Sequence, residues 1–381
     1  SFSQVSSSAW FAEKTWIGLL SASALVSFLF AWMYVSRQRS GSGQSRNWIS
    51  LPIDRIADGL PGRRSEFASP VSAQCWMEWR RTGLLLPLIV GVILLLVIGP
   101  LALYLAKDAD SSLDILFAVL VMPAAIALPI GKGFSKPDIW SNDLSLPAFT
   151  AVRPLTTDEM VAIKMKVAVR STLVSWLLVL SFLVLWLPFG ANFDLMKPVQ
   201  AVLWQVSGQN SFLQFAIAAL VVLVGMLLTW RFLVGGLWIG LSGNNKLYVV
   251  SAIPYAFLPI VGMASLILFQ QRAQEWIQHN LDRLLPTMEW IALLAVIAKL
   301  SLAVFSWRNI APQQRKRYLA IWIGSTLCLV ALTMFVWTSL QHVLPSEVYP
   351  LRNLMILCAL LTIPLARPGL ATRTLAKNRH R

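Results

Sequence analysis

Charge is what this chain has least of. Only 13% of its 381 residues are Asp, Glu, Lys or Arg, against about a quarter in soluble globular domains. With 57% hydrophobic residues beside them, that scarcity excludes an ordinary water-soluble fold. The three cysteines, Cys75, Cys328 and Cys358, show neither disulfide-framework nor metal spacing. Histidines are equally sparse, and His279, His342 and His380 lie far apart. No H-E-x-x-H and no G-x-S-x-G occurs, which argues against a membrane metalloprotease. The absence of G-x-x-x-x-G-K-[ST] means that this chain supplies no phosphate-binding loop of its own. Its apolar stretches also lack paired carboxylates. Asp114 and Glu289 stand only at their ends, which argues against a proton-coupled carrier.

What remains is long apolar runs separated by basic gaps. A helix needs about 20 apolar residues to cross about 30 Å of hydrocarbon. Nine runs qualify, namely Thr15–Val35, Leu84–Leu105, Leu113–Ile130, Ser171–Leu187, Phe212–Trp230, Leu247–Phe269, Met288–Trp307, Leu319–Leu340 and the shorter Leu354–Ala366, which Pro364 interrupts. Lys and Arg then sort by alternate gaps. Arg37, Arg39, Arg46, Arg55, Arg63, Arg64, Arg80 and Arg81 follow the first run, and Lys132, Lys136, Arg153, Lys164, Lys166 and Arg170 the third. Arg231 and Lys246 follow the fifth, Arg308, Arg315, Lys316 and Arg317 the seventh, and Arg367, Arg373, Lys377, Arg379 and Arg381 the ninth. The gaps between hold few cations. By the positive-inside bias this predicts an all-α polytopic transmembrane bundle of about nine spans, N-terminus outside and C-terminus inside. The net charge of +15 is dispersed through short loops. Anionic lipid headgroups, not nucleic acid, are therefore the expected counter-charge.

The first apolar run lacks the basic front and A-x-A-like end of a signal peptide. With Ser1 in first place, this reads as a fragment whose N-terminal portion is missing. Residues 36–69 are rich in Ser, Gly, Arg and Pro and read as a cytoplasmic linker after an extra N-terminal span in 1–35.

Four features beyond the spans invite chemistry. The segment P-V-S-A-Q-C-W-M-E-W-R-R, Pro70–Arg81, can place Val71, Cys75, Trp76 and Trp79 on one helical face, with Gln74, Glu78 and Arg81 turned elsewhere. It reads either as a plain lead-in to the next span or as an elbow helix lying in the membrane interface, with Trp76, Glu78, Trp79 and Arg80 as anchors. In the loop after the third run, Thr156 or Thr157 can cap a short helix that opens with Asp158 and Glu159 and carries Lys164 and Lys166 towards its far end. Pro154 stops any helix arriving from upstream. Such a helix either tidies a connection or offers a surface on which a soluble subunit can push. Between the sixth and seventh runs, Gln270–Leu285 predicts an amphipathic outer helix with Trp276, Ile277, Leu281, Leu284 and Leu285 on its apolar face. Lys299 stands within a span, where a lone cation costs roughly 2.5–3.5 kcal/mol on insertion scales. It either packs against helix carbonyls or faces a pathway for an anionic substrate. Gly236 and Gly240, four apart, either bring helices close or shape a short interfacial helix.

Phe149, Arg153-Pro154-Leu155-Thr156, Asp158-Glu159-Met160 and Lys164 together resemble the inner-loop pattern of type-2 ATP-binding-cassette (ABC) permeases. The likeness extends to Pro70–Arg81 as the connecting helix, loosely to Val234–Gly243, and to Pro364–Arg367 with Asn378–Arg381, across roughly Ser69–Arg381. It implies a six-span permease core over 70–307, with two further spans and a basic tail in 308–381. It implies a non-catalytic exporter subunit of a bacterial cytoplasmic membrane, with no cofactor. ATP hydrolysis would then fall to a separate cytoplasmic ABC ATPase dimer. That motor would dock on Arg153, Pro154, Thr157, Asp158, Glu159 and Lys164, and a second permease subunit or second copy of this chain would complete the assembly. The other readings of the sequence are a membrane scaffold, a secondary carrier or a membrane transferase without an ATPase.

Overall fold

In hydrocarbon a backbone satisfies its hydrogen bonds within a helix or a closed barrel, and every regular element among the described residues is helical. The computed structural model describes residues 67–105, 109–137, 144, 154–189, 211–340, 349–363 and 366–379. The chain divides after Leu60 into two compact units, and these residues belong to the second. The expected first span, and the linker up to residue 66, lie outside them. Helices α1 (Pro70–Glu78), α2 (Leu85–Ile93) and α3 (Gly99–Leu105) are joined by two π-helical turns, Trp79–Gly83 and Leu94–Ile98. Then come α4 (Ala109–Phe134), α5 (Thr157–Phe189), α6 (Ser211–Leu233) and the single turn α7 (Leu237–Gly240). α8 (Asn245–Trp307), α9 (Pro312–Leu340), α10 (Tyr349–Thr362) and α11 (Arg367–Arg379) complete the order.

Among the described residues, six helices are long and apolar enough to cross a membrane: Pro70–Ala102, Ile115–Phe134, Thr157–Trp186, Ser211–Gly240, Leu284–Trp307 and Pro312–Ser339. Their outward faces carry Leu95 and Val304, each 74% exposed, and Phe117, 70% exposed. Apolar surface on that scale is kept in lipid and not in water. The chain is an integral membrane protein built as a helical bundle. Where the ninth span is expected, the described residues hold a shorter apolar stretch, Arg352–Leu361, within α10.

Both π turns have a cause in the sequence. Proline lacks an N–H and its ring collides with the carbonyl four residues back. Pro87 and Pro100 therefore disturb the carbonyls of Gly83 and Leu96, and each π turn covers that carbonyl. In the first, the Leu84 N–H reaches five residues back to the Trp79 carbonyl (3.0 Å).

Two elements differ from the expectation. The charged helix foreseen at Thr157 is not a separate short piece, because it continues unbroken through the fourth apolar run to Phe189. No Gly or Pro interrupts that sequence before Pro188, so nothing ends the helix where its polarity changes. Likewise, the sixth run, the outer segment and the seventh run form one helical stretch of 63 residues, α8. A straight rod of that length would measure roughly 95 Å. Its two ends nevertheless meet the two ends of α11, for Gly243 lies against Asn378 and Ser306 against Gly369. The stretch therefore turns back on itself between them.

α6 is the central packing element. Along α4 the two backbones come so close at Gly131 that only hydrogen fits beside the Phe232 carbonyl. On another side, Ala216 and Leu220 of α6 form a buried cluster with Leu329 and Val336 of α9 and Ala359 of α10. Trp176 of α5 is fully buried against Gly225 and donates from Nε1 to the Thr229 hydroxyl (3.0 Å).

Candidate functional site

The basic gaps of the sequence converge at one end of the bundle, and Lys164 is the residue that ties them together. Thr156 caps α5. Its hydroxyl accepts from the Glu159 N–H (3.3 Å), while the Glu159 carboxylate accepts from the Thr156 N–H (2.8 Å), a reciprocal capping box. Two turns on, Lys164 is only 6% exposed. Its ammonium pairs with Glu78 Oε2 of α1 (3.2 Å) and donates to the carbonyls of Lys136 (3.0 Å) and Phe134 (3.4 Å) at the end of α4. The last carbonyls of a helix lack partners within it and carry its negative pole, so a cation there closes three elements at once.

The elbow segment is built around the same pair. Ser69 and Ser72 cap its start reciprocally and Pro70 occupies the first helical position. Gln74 is buried and donates to Glu78 Oε1 (3.1 Å), so both carboxylate oxygens of Glu78 are engaged. Trp79 is buried under the Arg170 guanidinium of α5 (4.3 Å), and Arg80 lies over Trp76 (4.8 Å). The expected apolar face is thus partly inverted, since Val71 is exposed while Gln74 faces inward. The ion pair with Lys164 explains why the polar side turns to the protein.

Asp158 has a different partner. Its Oδ2 accepts from the Ala311 N–H (2.7 Å), just ahead of α9, while its Oδ1 is buried with no hydrogen bond. The loop that presents Ala311 is wound tight by Arg315, which donates to the carbonyls of Ile310 (2.7 Å) and Arg308 (3.1 Å). Pro154 is exposed, and Thr157 and Glu159 are half-buried. Arg153 lies outside the described residues. Of the residues expected to meet a soluble partner, then, Asp158 and Lys164 are bound to other elements of the molecule, and Glu159 accepts one hydrogen bond within its own cap.

α11 covers this end. Arg379 donates to the Leu155 carbonyl (2.8 Å), Asn378 to that of Leu144 (3.0 Å) and Arg367 to that of Val234 (3.4 Å). The Asn378 side chain also fills the space beside Gly243, whose φ of +68° suits glycine. Gly236 and Gly240 seat α7 on Ser135 at the end of α4, so the spacing serves both close approach and a short helix.

Lys299 sits apart from this cluster. It donates to the carbonyls of Leu360 (2.6 Å) and Leu361 (3.1 Å), where α10 ends, and Arg231 of α6 donates to Leu361 as well. Of the two arrangements foreseen for this lysine, these hydrogen bonds match the packed one, and they do not test the pathway role. Removing the cation relieves an insertion cost of roughly 2.5–3.5 kcal/mol but frees two carbonyls, and Arg231 still serves one. Lys299→Met is therefore expected to change the apparent unfolding temperature in detergent by less than about 3 °C. Loss of transport in an equally stable Lys299→Met protein would instead make this lysine part of a pathway.

Sequence reasoning missed Ala311, Ser69 and the carbonyls of Phe134 and Lys136. Ser69 could have been found from the two serines at three-residue spacing that flank Pro70. Backbone groups leave no such signal. Among the described residues no three His, Cys, Asp or Glu side chains gather as a metal site would need. Comparison with known proteins finds no matching family model, curated protein or solved structure.

Proposed function

We propose that this chain is the membrane-spanning permease subunit of an ABC-type exporter of a bacterial cytoplasmic membrane, working with a separate cytoplasmic ATPase. The observation that carries the reading is the anchoring of α5. One uninterrupted helix begins at the basic end with Thr157 and crosses the bundle to Phe189. Within its first eight residues it is bound to the elbow, to the end of α4 and to the start of α9. A push on Pro154–Glu159 would move those elements together instead of bending a loop. Packed helices pass on such displacements because interiors are dense and have discrete arrangements.

In this reading the contact surface is Pro154, Thr157 and Glu159, and Asp158, Lys164 and Glu78 are positioning residues. The test expresses the chain with each candidate ABC ATPase of its source cell. Pro154→Glu with Thr157→Arg should reduce co-purification with the one that associates at least about tenfold, the loss of roughly 1.4 kcal/mol, while leaving the unfolding temperature unchanged. Undiminished association and transport would remove the docking assignment.

A further inference from the structure

We propose a binding site for an anionic phospholipid on the outer face of the last third of α8. An open groove of about 670 Å³ is lined by Ile297, Leu300, Ser301, Val304, Phe305 and Arg308. These positions recur at three- and four-residue steps, so they form one helical face. From Ile297 to Arg308 the groove runs roughly 16 Å at 1.5 Å per residue. That matches half of the roughly 30 Å hydrocarbon thickness, the depth of one leaflet.

Its chemistry is graded along that length. The Ser301 hydroxyl donates to the Ile297 carbonyl (2.9 Å) and so presents no free donor to the groove. Everything above Arg308 therefore offers an acyl chain an apolar wall. At the basic end the Arg308 guanidinium lines it, and a second guanidinium lies against the Phe305 ring. Arg308 is exposed, with no hydrogen bond or ion pair from its side chain among the described residues. Arg373, also exposed, reaches from α11 to lie 5.3 Å from the centre of the Phe305 ring. Arg315 holds the Arg308 carbonyl and thereby fixes where that residue projects. Lys316, Arg317 and Lys377 are exposed at the same end and add positive potential. Arginine suits this task, because its planar fork takes two phosphate oxygens at once. One chain in the groove and one phosphate between Arg308 and Arg373 satisfy both halves of the surface.

The inference does not depend on the permease reading, and its test needs no transport. The whole chain in mild detergent is titrated with dioleoylphosphatidylglycerol or dioleoylphosphatidylcholine and followed by native mass spectrometry. One phosphatidylglycerol is expected to bind about thirtyfold more tightly than phosphatidylcholine, as two interfacial cations contribute. Arg308→Gln with Arg373→Gln should abolish that preference. Ser301→Trp, which fills the groove and leaves both arginines, should weaken both lipids. Equal binding of the two lipids, or phosphatidylglycerol binding indifferent to both variants, would overturn the proposal. So would displacement by an equal concentration of inorganic phosphate, which would make the arginines a site for free anions. A lipid-free dimer broken by Ser301→Trp would assign the groove to a second copy of the chain.

Discussion

Lys164→Met is expected to lower the apparent unfolding temperature by about 5 °C or more, the effect of removing one partner of a buried pair, about 3–5 kcal/mol. The side chains of Lys164 and Glu78 are only 7% and 13% exposed. Without the ammonium, the Glu78 carboxylate and two carbonyls are left facing one another with little water between them. The identity of the partners makes a sharper expectation. Lys164→Glu should be worse than Lys164→Met, and adding Glu78→Lys should fail to rescue it. A carboxylate at position 164 would still point at the carbonyls of Phe134 and Lys136. Thermal unfolding of the three proteins in one detergent decides the matter. Full recovery in the charge-swapped protein would reduce the arrangement to a simple ion pair.

The second large effect is expected at Gly131→Ala. A methyl group there would fall inside the contact radius of the Phe232 carbonyl, a backbone atom that cannot rotate away. α4 and α6 would have to separate along a contact that membrane helices hold by close packing alone. Overpacking costs typically 1–3 kcal/mol, and the absence of a yielding side chain places this position at about 3 kcal/mol or above. Gly324→Ala is the matched control, with nothing within 4 Å of the added carbon. Helix propensity alone makes it stabilising by up to about 1 kcal/mol. Gly131→Ala unfolding at the control's temperature would contradict the close approach.

Six of the nine expected spans reappear among the described residues, because desolvation acts residue by residue along a run, and hydrophobicity summed over about 20 positions is a local quantity. The capped start of α5 was legible for the same reason. Thr156, Asp158 and Glu159 are neighbours in sequence, and the structure settles which threonine caps. The grouping of the basic gaps at one end followed from the alternation of charge. What was not legible is pairing across distance. Glu78 and Lys164 are 86 positions apart, and each alone reads as a surface residue of an interfacial helix. The Asp158–Ala311 bond is still less visible, since its donor is a backbone N–H that every non-proline residue carries. Helix ends were misjudged where polarity was taken as punctuation. A change from charged to apolar does not stop a helix when no Gly or Pro follows.

The π turn at Trp79–Gly83 sets an arithmetic constraint on the elbow. A π turn holds one residue more than the α-helical path would, and each α-helical residue advances the chain by about 100° around the axis. The extra residue thus fixes the angular phase between α1 and α2. Removing one residue there would heal the helix and rotate everything before it by that angle. Glu78 would swing away from Lys164 although no residue of the pair had changed. The facing of the elbow is therefore encoded as much by how many residues lie between Glu78 and Pro87 as by which they are. Along this stretch, length is conserved information in the physical sense, and a single insertion or deletion weighs more than most substitutions.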